Sequence, residues 1–131
     1  MKIVKADPSH AYHVFKILRD YADDTGTKRP TMENYGSLLS DLLDETKHYA
    51  LVMHGKMAAG MIWGSASKDK SFTIEGRFLR RKFRNFRFKR ALVGEVLAVR
   101  KNFDKLNLML HPGAKVSPRY RAVGLLVEEV K

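Results

Sequence analysis

Residues 71–100 read SFTIEGRFLRRKFRNFRFKRALVGEVLAVR, and this stretch contains three patterns in succession. The segment Ser71–Leu79 predicts a β-strand, and the apolar residues after position 90 recur at helical spacing. Between Arg77 and Arg90, eight of the fourteen residues are Lys or Arg and four are Phe. A strand that leads through a basic turn into a helix is a natural anion site, because the free N–H groups of a helix start and the helix dipole both attract phosphate. We therefore expect the ligand, a phosphorylated cofactor or a nucleic acid, to bind here.

The predicted strand Ser71–Leu79 has two faces, because successive side chains of a strand point in opposite directions. In a regular strand, one face carries Phe72, Ile74, Gly76 and Phe78. The other face then carries Thr73, Glu75, Arg77 and Leu79.

Charge is unevenly distributed along the chain. The net charge is +11, yet residues 1–76 contain ten basic and ten acidic side chains, whereas residues 77–131 contain fifteen basic and four acidic ones. The second half is therefore an electropositive surface that should steer anions. The absence of cysteine excludes disulfides, thiolate zinc sites and cysteine nucleophiles. No apolar run is long enough to span a membrane, and the first residues lack the apolar core of a signal peptide, so we expect a cytoplasmic protein.

The remaining patterns predict a single α/β domain over residues 1–131. The element order is β-α-α-β-β-β-α-β-α-β, which predicts a mixed, mainly antiparallel sheet with helices on both faces. The predicted elements are a strand at Met1–Ala6, helices at 8–23 and from Thr31, strands at His48–Met53, Met57–Ser65 and Ser71–Leu79, a helix at 86–100, a strand at Leu106–Leu110, a short helix from Ser117 and a strand at Leu125–Val130.

This order resembles the GCN5-related N-acetyltransferase (GNAT) superfamily over most of the chain. The opening IVKADPSHAYHVFKIL, residues 3–18, is similar to the first strand and helix of the family, and residues 71–100 are similar to its core motif. In the family, a loop of the pattern Arg/Gln-x-x-Gly-x-Gly/Ala holds the pyrophosphate of coenzyme A. Residues 84–89, RNFRFK, occupy that pattern: Arg84 fits its first position, while Arg87 and Lys89 replace the two glycines. A second register that starts at Arg81 fits no better.

A second motif of the family is matched at residues 111–125, HPGAKVSPRYRAVGL. Tyr120, Gly124 and Leu125 fall on the tyrosine, glycine and phenylalanine of Asn-x-x-Ala-x-x-x-Tyr-x-x-x-Gly-Phe, whereas Gly113 stands where asparagine is usual. The last strand of the family has no counterpart in the chain, so we expect it either to be missing or to come from elsewhere, for example from a homodimer. Short, basic, glycine-poor chains of this kind also resemble GNAT-like proteins encoded by tailed bacteriophages, which would place the protein in a host cytoplasm.

The resemblance implies an acetyl-CoA-dependent N-acetyltransferase acting on an amine. Coenzyme A carries about four negative charges on its phosphates, which the basic turn could neutralise. The residues that the resemblance assigns to cofactor binding are Leu79, Arg81, Arg84, Asn85, Phe86, Arg87, Phe88 and Lys89.

Acetyl transfer also needs a base for the amine and a proton for the leaving thiolate. The resemblance makes Tyr120 the proton donor to the thioester sulfur, although a tyrosine there could equally pack its ring on the sheet. Glu75 is the candidate general base, and its alternative is a solvent-facing carboxylate paired with a lysine. His111 is the second candidate base. The five histidines show no metal-ligand spacing with carboxylates, so we predict no metal.

Two other functions stay open at this point. Loss of the two loop glycines favours a catalytically inactive GNAT-fold protein that works in binding or assembly. Alternatively, residues 77–90 could bind nucleic acid, for which the interleaved phenylalanines would have to be exposed for base stacking. A GNAT core would bury most of these phenylalanines. The sequence does not identify the acceptor amine.

Overall fold

The computed structural model describes residues 1–110 and 126–129. Six strands and three α-helices are present in this part of the chain. Their bounds are β1 Lys2–Lys5, α1 Ala11–Thr25, α2 Met32–Leu43, β2 Lys47–His54, β3 Met57–Ala66, β4 Ser71–Leu79, α3 Phe86–Arg100, β5 Lys105–Leu110 and β6 Leu126–Glu129. Short 3₁₀ turns at Pro8–His10 and Arg81–Phe83 precede α1 and α3.

The predicted α/β fold is confirmed, and so is the order of the elements in the described residues. The helix predicted from Ser117 lies outside the described residues. Helix α1 starts later than predicted because Asp7, which accepts a hydrogen bond from the N–H of Ser9, caps the 3₁₀ turn instead of the α-helix. It ends at Gly26, whose φ of 70° is the left-handed conformation typical of a helix C-terminus.

The six strands form one sheet in which sequence neighbours are also spatial neighbours, in the order β1-β2-β3-β4-β5-β6. The pairs from β1 to β4 are antiparallel, and β4–β5 and β5–β6 are parallel. Parallel pairing requires a crossover, which α3 provides between β4 and β5. No helix in the described ranges is long and apolar enough to cross a membrane.

Two apolar clusters cover the two faces of the sheet. One packs α3 on the sheet through Phe88, Leu92 and Val96, which contact a group that includes Ile62, Phe72 and Ile74. The other packs α1 and α2 on the opposite face and includes Val14, Ile17, Leu38, Met61, Trp63 and Phe78.

Strand β4 contains a β-bulge at Glu75. Trp63 pairs with Gly76 and the next residue of β3, Gly64, pairs with Ile74, so that Glu75 is an extra residue in β4. The extra residue shifts the alternation by one position. Strand β4 is therefore not regular, and the faces of a regular strand do not apply along its whole length: Phe72 and Ile74 lie in the α3 cluster, whereas Phe78 lies in the α1–α2 cluster.

Gly76 allows the bulge to pack closely on β3. A Cβ atom added at this position would overlap the six-membered ring of Trp63. Trp63 in turn makes an edge-to-face contact with Tyr21 of α1, with ring centroids 4.9 Å apart. The bulge is thus fixed by steric packing between the sheet and α1.

Candidate functional site

The junction between β4 and α3 forms the basic turn that the sequence singled out. After β4 ends at Leu79, the N–H of Arg80 still donates to the carbonyl of Ala59, at 2.9 Å. Asn85 then caps α3, because its side-chain oxygen accepts a hydrogen bond from the N–H of Phe88 at 3.2 Å. Asparagine is among the preferred N-cap residues, which explains why the helix begins at Phe86.

Four backbone N–H groups of this junction lack a partner among the described residues. In the part of the chain that the structure describes, the N–H groups of Arg81, Lys82, Phe86 and Arg87 have no hydrogen-bond acceptor. Two of them belong to the 3₁₀ turn and two to the first turn of α3. Free donors at a helix start, where the helix dipole is positive, attract phosphate and other anions.

Arg84 holds the turn in place. Its Nε donates to the carbonyl of Leu79 at 2.8 Å, and its Nη2 donates to Oδ2 of Asp24 on α1 at 3.1 Å. Its guanidinium group also lies over the ring of Phe78, 5.3 Å from the centroid. Arg84 therefore ties the turn to the end of β4 and to α1.

Two more arginines of the turn face carboxylates of α1. Nε of Arg80 lies 2.9 Å from Oδ2 of Asp20, and Nε of Arg81 lies 3.7 Å from Oδ1 of Asp24. Between α1 and the turn there is an open cavity of about 660 Å³. It is lined by Lys16, Asp20, Asp23, Asp24, Phe78, Arg80, Arg81 and Lys82.

Four further cations after the end of β4 have no carboxylate partner among the residues that the structure describes. Lys82, Arg87, Lys89 and Arg90 are exposed, and none of them forms an ion pair within residues 1–110 and 126–129 as described. Among the four interleaved phenylalanines, Phe86 alone is exposed, at 77% of its surface, and the remaining three are buried. This burial is what a GNAT core would require and differs from the pattern expected of a nucleic-acid stacking surface.

The predicted cofactor-binding residues fall into two groups. Arg81, Phe86 and Arg87 carry three of the N–H groups that lack an acceptor among the described residues. Asn85 caps the helix, and Arg84 anchors the turn. The side chains of Leu79 and Phe88 are buried in the α3 cluster, and the N–H of Phe88 is used by the cap. Lys89 donates its N–H to the carbonyl of Asn85 at 3.0 Å, so its exposed side chain is the part that could meet a ligand. Cofactor binding by these residues stays a prediction.

The position of the two replaced glycines bears on that prediction. Arg87 and Lys89 are the second and fourth residues of α3, and neither has a positive φ. Glycine is therefore not needed there for backbone conformation, although it would allow closer approach of a ligand. The exposed side chains can instead add positive charge beside the free N–H groups.

Glu75, the candidate base, lies at the bulge with its carboxylate exposed. Its Oε1 accepts a hydrogen bond from the hydroxyl of Ser65 on β3, at 2.7 Å. The described part of the chain contains no lysine paired with Glu75, although the carboxylate does face solvent. The carboxylate is held by a neutral donor and remains open to solvent.

The charge of Glu75 affects the pKa of Tyr49 on β2. Burial, followed by the charges of Asp41 and Glu75, raises the pKa of Tyr49 to about 12. The hydroxyl of Tyr49 lies 3.5 Å from Oδ2 of Asp41 on α2, at the outer limit of a hydrogen bond. Tyr49 is thus a neutral hydroxyl between two carboxylates at neutral pH.

Sequence reasoning missed Tyr49, Asp41 and Ser65, as well as Asp20 and Asp24. These residues lie far from Glu75 or from the turn in sequence, and only sheet register and helix packing bring them close. Tyr120 and His111, the other candidate catalytic residues, lie outside the described residues. In the ranges that are described, no group of three His, Asp or Glu side chains could hold a metal ion.

Comparison with solved structures shows that this protein has the fold of the GNAT acetyltransferases. A possible acetyltransferase from Clostridium difficile 630 is similar over 99% of this chain and 93% of its own, with a TM-score of 0.78 at 14% identity. The enzyme AAC(6')-Iy, in complex with the bisubstrate analogue CoA-S-monomethyl-acetylneamine, is similar over 95% of this chain and 89% of its own, with a TM-score of 0.72 at 16% identity.

A third similar structure is an acetyltransferase of the GNAT family from Staphylococcus aureus Mu50. The similarity extends over 82% of this chain and 72% of the S. aureus chain, with a TM-score of 0.65 at 12% identity. No protein-family model and no curated protein matches the sequence. Identities this low establish the fold, and function has to be argued from the site.

Proposed function

We propose that this protein is an acetyl-CoA-dependent N-acetyltransferase. The observation that carries the proposal is the group of four unpaired N–H donors at the β4–α3 junction of a GNAT fold. This junction follows directly on the strand that bears Glu75 at its bulge. A phosphate site directly after the strand that bears a carboxylate base suits acetyl transfer from acetyl-CoA to an amine.

The turn would bind the pyrophosphate of coenzyme A. The N–H groups of Arg81, Lys82, Phe86 and Arg87 supply the donors, and the side chains of Lys82 and Arg87 add charge that no carboxylate of the described residues neutralises. Charge-assisted hydrogen bonds of this kind are shorter and stronger than neutral ones. The charges of these two side chains would thus replace part of the attraction that is lost where the family glycines allow a closer contact with the phosphates.

Glu75 would accept the proton of the acceptor ammonium group. The amine nitrogen then attacks the thioester carbonyl carbon and a C–N bond forms. The nitrogen releases its second proton to solvent, the C–S bond breaks, and the leaving thiolate takes up a proton. The hydrogen bond from Ser65 orients the carboxylate without neutralising it. By resemblance to the family, Tyr120 supplies the proton to the thiolate.

Tyr49 is unsuited to act as the base, because a group with a pKa of about 12 does not give up its proton near neutral pH. It can donate a hydrogen bond or pack against the acceptor. Asp41 and Glu75 on either side of it would attract a cationic amine. AAC(6')-Iy holds an acetylneamine analogue, and we extend to this chain only that the acceptor is an amine.

Calorimetry with acetyl-CoA and with coenzyme A tests binding directly. We expect both to bind with Kd values in the micromolar range, on the order of the KM values of most enzymes. Thiol release in the presence of a panel of primary amines, including an aminoglycoside and a lysine-containing peptide, then tests turnover. An absence of heat and of a thermal shift at millimolar ligand would reject the proposal.

A catalytically inactive binding protein of the same fold is the second candidate. It is favoured by Arg87 and Lys89 in place of the family glycines. Two results together would support it: coenzyme A binds, and no amine of the panel causes thiol release from acetyl-CoA. Ordinary turnover would exclude it.

A further inference from the structure

Three arginines of the basic turn already have anionic partners in the protein itself. Asp24 of α1 contacts both Arg84, at 3.1 Å, and Arg81, at 3.7 Å. Asp20, one helical turn earlier, contacts Arg80 at 2.9 Å. The four-residue spacing places the two carboxylates on one face of α1, towards the turn.

These pairs lie where an anionic ligand would enter. Asp20, Asp24, Arg80 and Arg81 all line the cavity between α1 and the turn, and the free N–H groups of Arg81 and Lys82 belong to the same segment. A phosphate entering this cavity would meet arginines that are engaged and carboxylates that repel it. Both effects reduce the affinity that the basic turn would otherwise have.

We propose that Asp20 and Asp24 act as internal counter-anions of the phosphate site. They hold the guanidinium groups of Arg80, Arg81 and Arg84, and phosphates of the ligand compete with them for these groups. The two aspartates are therefore positioning residues that set affinity for the phosphorylated part of the ligand. This inference rests on the proposed function for the identity of that ligand as coenzyme A.

The isosteric substitutions Asp24→Asn and Asp20→Asn test the idea. Partly exposed ion pairs contribute little each, so loss of the single pair of Asp20 or of the two pairs of Asp24 should tighten binding of inorganic pyrophosphate and of coenzyme A by about 2- to 5-fold. Acetyl-pantetheine, which lacks the pyrophosphate, should bind both variants as it binds the wild-type protein. The gain should shrink at about 0.5 M salt, because salt screens charges in an open cavity.

Asp23→Asn is the matched control. Asp23 lines the same cavity but pairs with Arg29, through a bond of 2.7 Å from Nη2 to Oδ2, and not with the turn. The substitution removes the same charge without releasing an arginine of the turn. We expect a smaller gain than for Asp24→Asn, which separates competition for the arginines from a general change of charge.

Calorimetry on the four proteins, with pyrophosphate, coenzyme A and acetyl-pantetheine, gives distinct results for each claim. Tighter pyrophosphate binding by Asp24→Asn and Asp20→Asn than by Asp23→Asn supports the counter-anion role. Unchanged or weaker pyrophosphate binding in both variants, or no pyrophosphate binding at all at millimolar concentration, overturns it. If the variants tighten pyrophosphate binding but none of the proteins binds coenzyme A, the counter-anion role stands and the proposed cofactor fails.

Discussion

Two regions that lie a few residues apart in sequence, the bulge of β4 and the basic turn after it, are stabilised in different ways. At the bulge, Gly76 lies directly against Trp63, and the contact leaves no room for a side chain. At the turn, Arg84 and Arg80 are held by carboxylates of α1 beside an open cavity. Packing fixes a single arrangement, whereas partly exposed ion pairs can exchange partners. The candidate base thus lies on the rigid region, and the candidate phosphate site lies on the adjustable one.

The largest expected effect concerns the chemistry at the bulge. Glu75→Gln should lower turnover by about 10²- to 10⁴-fold, the usual contribution of a general base, while affinity for acetyl-CoA stays nearly constant. Thiol release under saturating acetyl-CoA measures the change. Ser65→Ala is the control that leaves the carboxylate in place but removes its hydrogen bond, and it should cost far less. A Glu75→Gln variant that turns over at the wild-type rate would contradict the assignment.

The packing of the bulge predicts the next effect. Gly76→Ala should lower the free energy of unfolding by about 1–3 kcal/mol, because the new methyl group forces Trp63 to move. Gly94→Ala, on α3, is the control: a Cβ there meets nothing within 4 Å, and alanine favours the helix. Urea denaturation should therefore show Gly94→Ala unchanged or more stable. Equal stabilities for the two variants would mean that the bulge is not sterically fixed.

The turn should respond more mildly. Arg84→Ala removes a cation of the turn and its bond to the carbonyl of Leu79, and we expect about 3- to 10-fold weaker binding of coenzyme A by calorimetry. Arg100→Ala is a control elsewhere on α3, since its guanidinium bonds only the carbonyl of Phe103 among the described partners. It should leave affinity unchanged. Equal losses in both variants would argue against a specific role of Arg84.

The smallest effect is a pH dependence near the bulge. Because the pKa of Tyr49 is raised to about 12 in the folded protein, the stabilisation linked to its neutral form is complete below pH 10. It is lost as the pH rises from the ordinary tyrosine value of about 10 through 12. In Tyr49→Phe, the free energy of unfolding should accordingly change less with pH in this window. In a spectroscopic pH titration, the variant should also lack the tyrosinate absorbance change that occurs at the highest pH. If that change persists in the variant, the assignment of the raised pKa is wrong.

The sequence predicted most of the fold because periodicity and capping residues are local. Apolar patterns marked the strands. The helix predicted at 86–100 begins directly after Asn85, which is its N-cap. The bulge was missed because β4 alone reads as a regular strand, and the extra residue is defined only by its pairing with β3. The partners of the turn were missed for the same reason: Asp20 and Asp24 share a helix face, but nothing local indicates which arginines that face meets.

A crystal soaked with coenzyme A would show whether coenzyme A binds at the β4–α3 junction. We expect pyrophosphate density within hydrogen-bonding distance of the N–H groups of Phe86 and Arg87 or of Arg81 and Lys82. We also expect the guanidinium groups of Arg80 or Arg81 to turn from the α1 carboxylates towards the phosphates. Density for the pyrophosphate elsewhere on the protein, or no density at millimolar coenzyme A, would contradict this binding site.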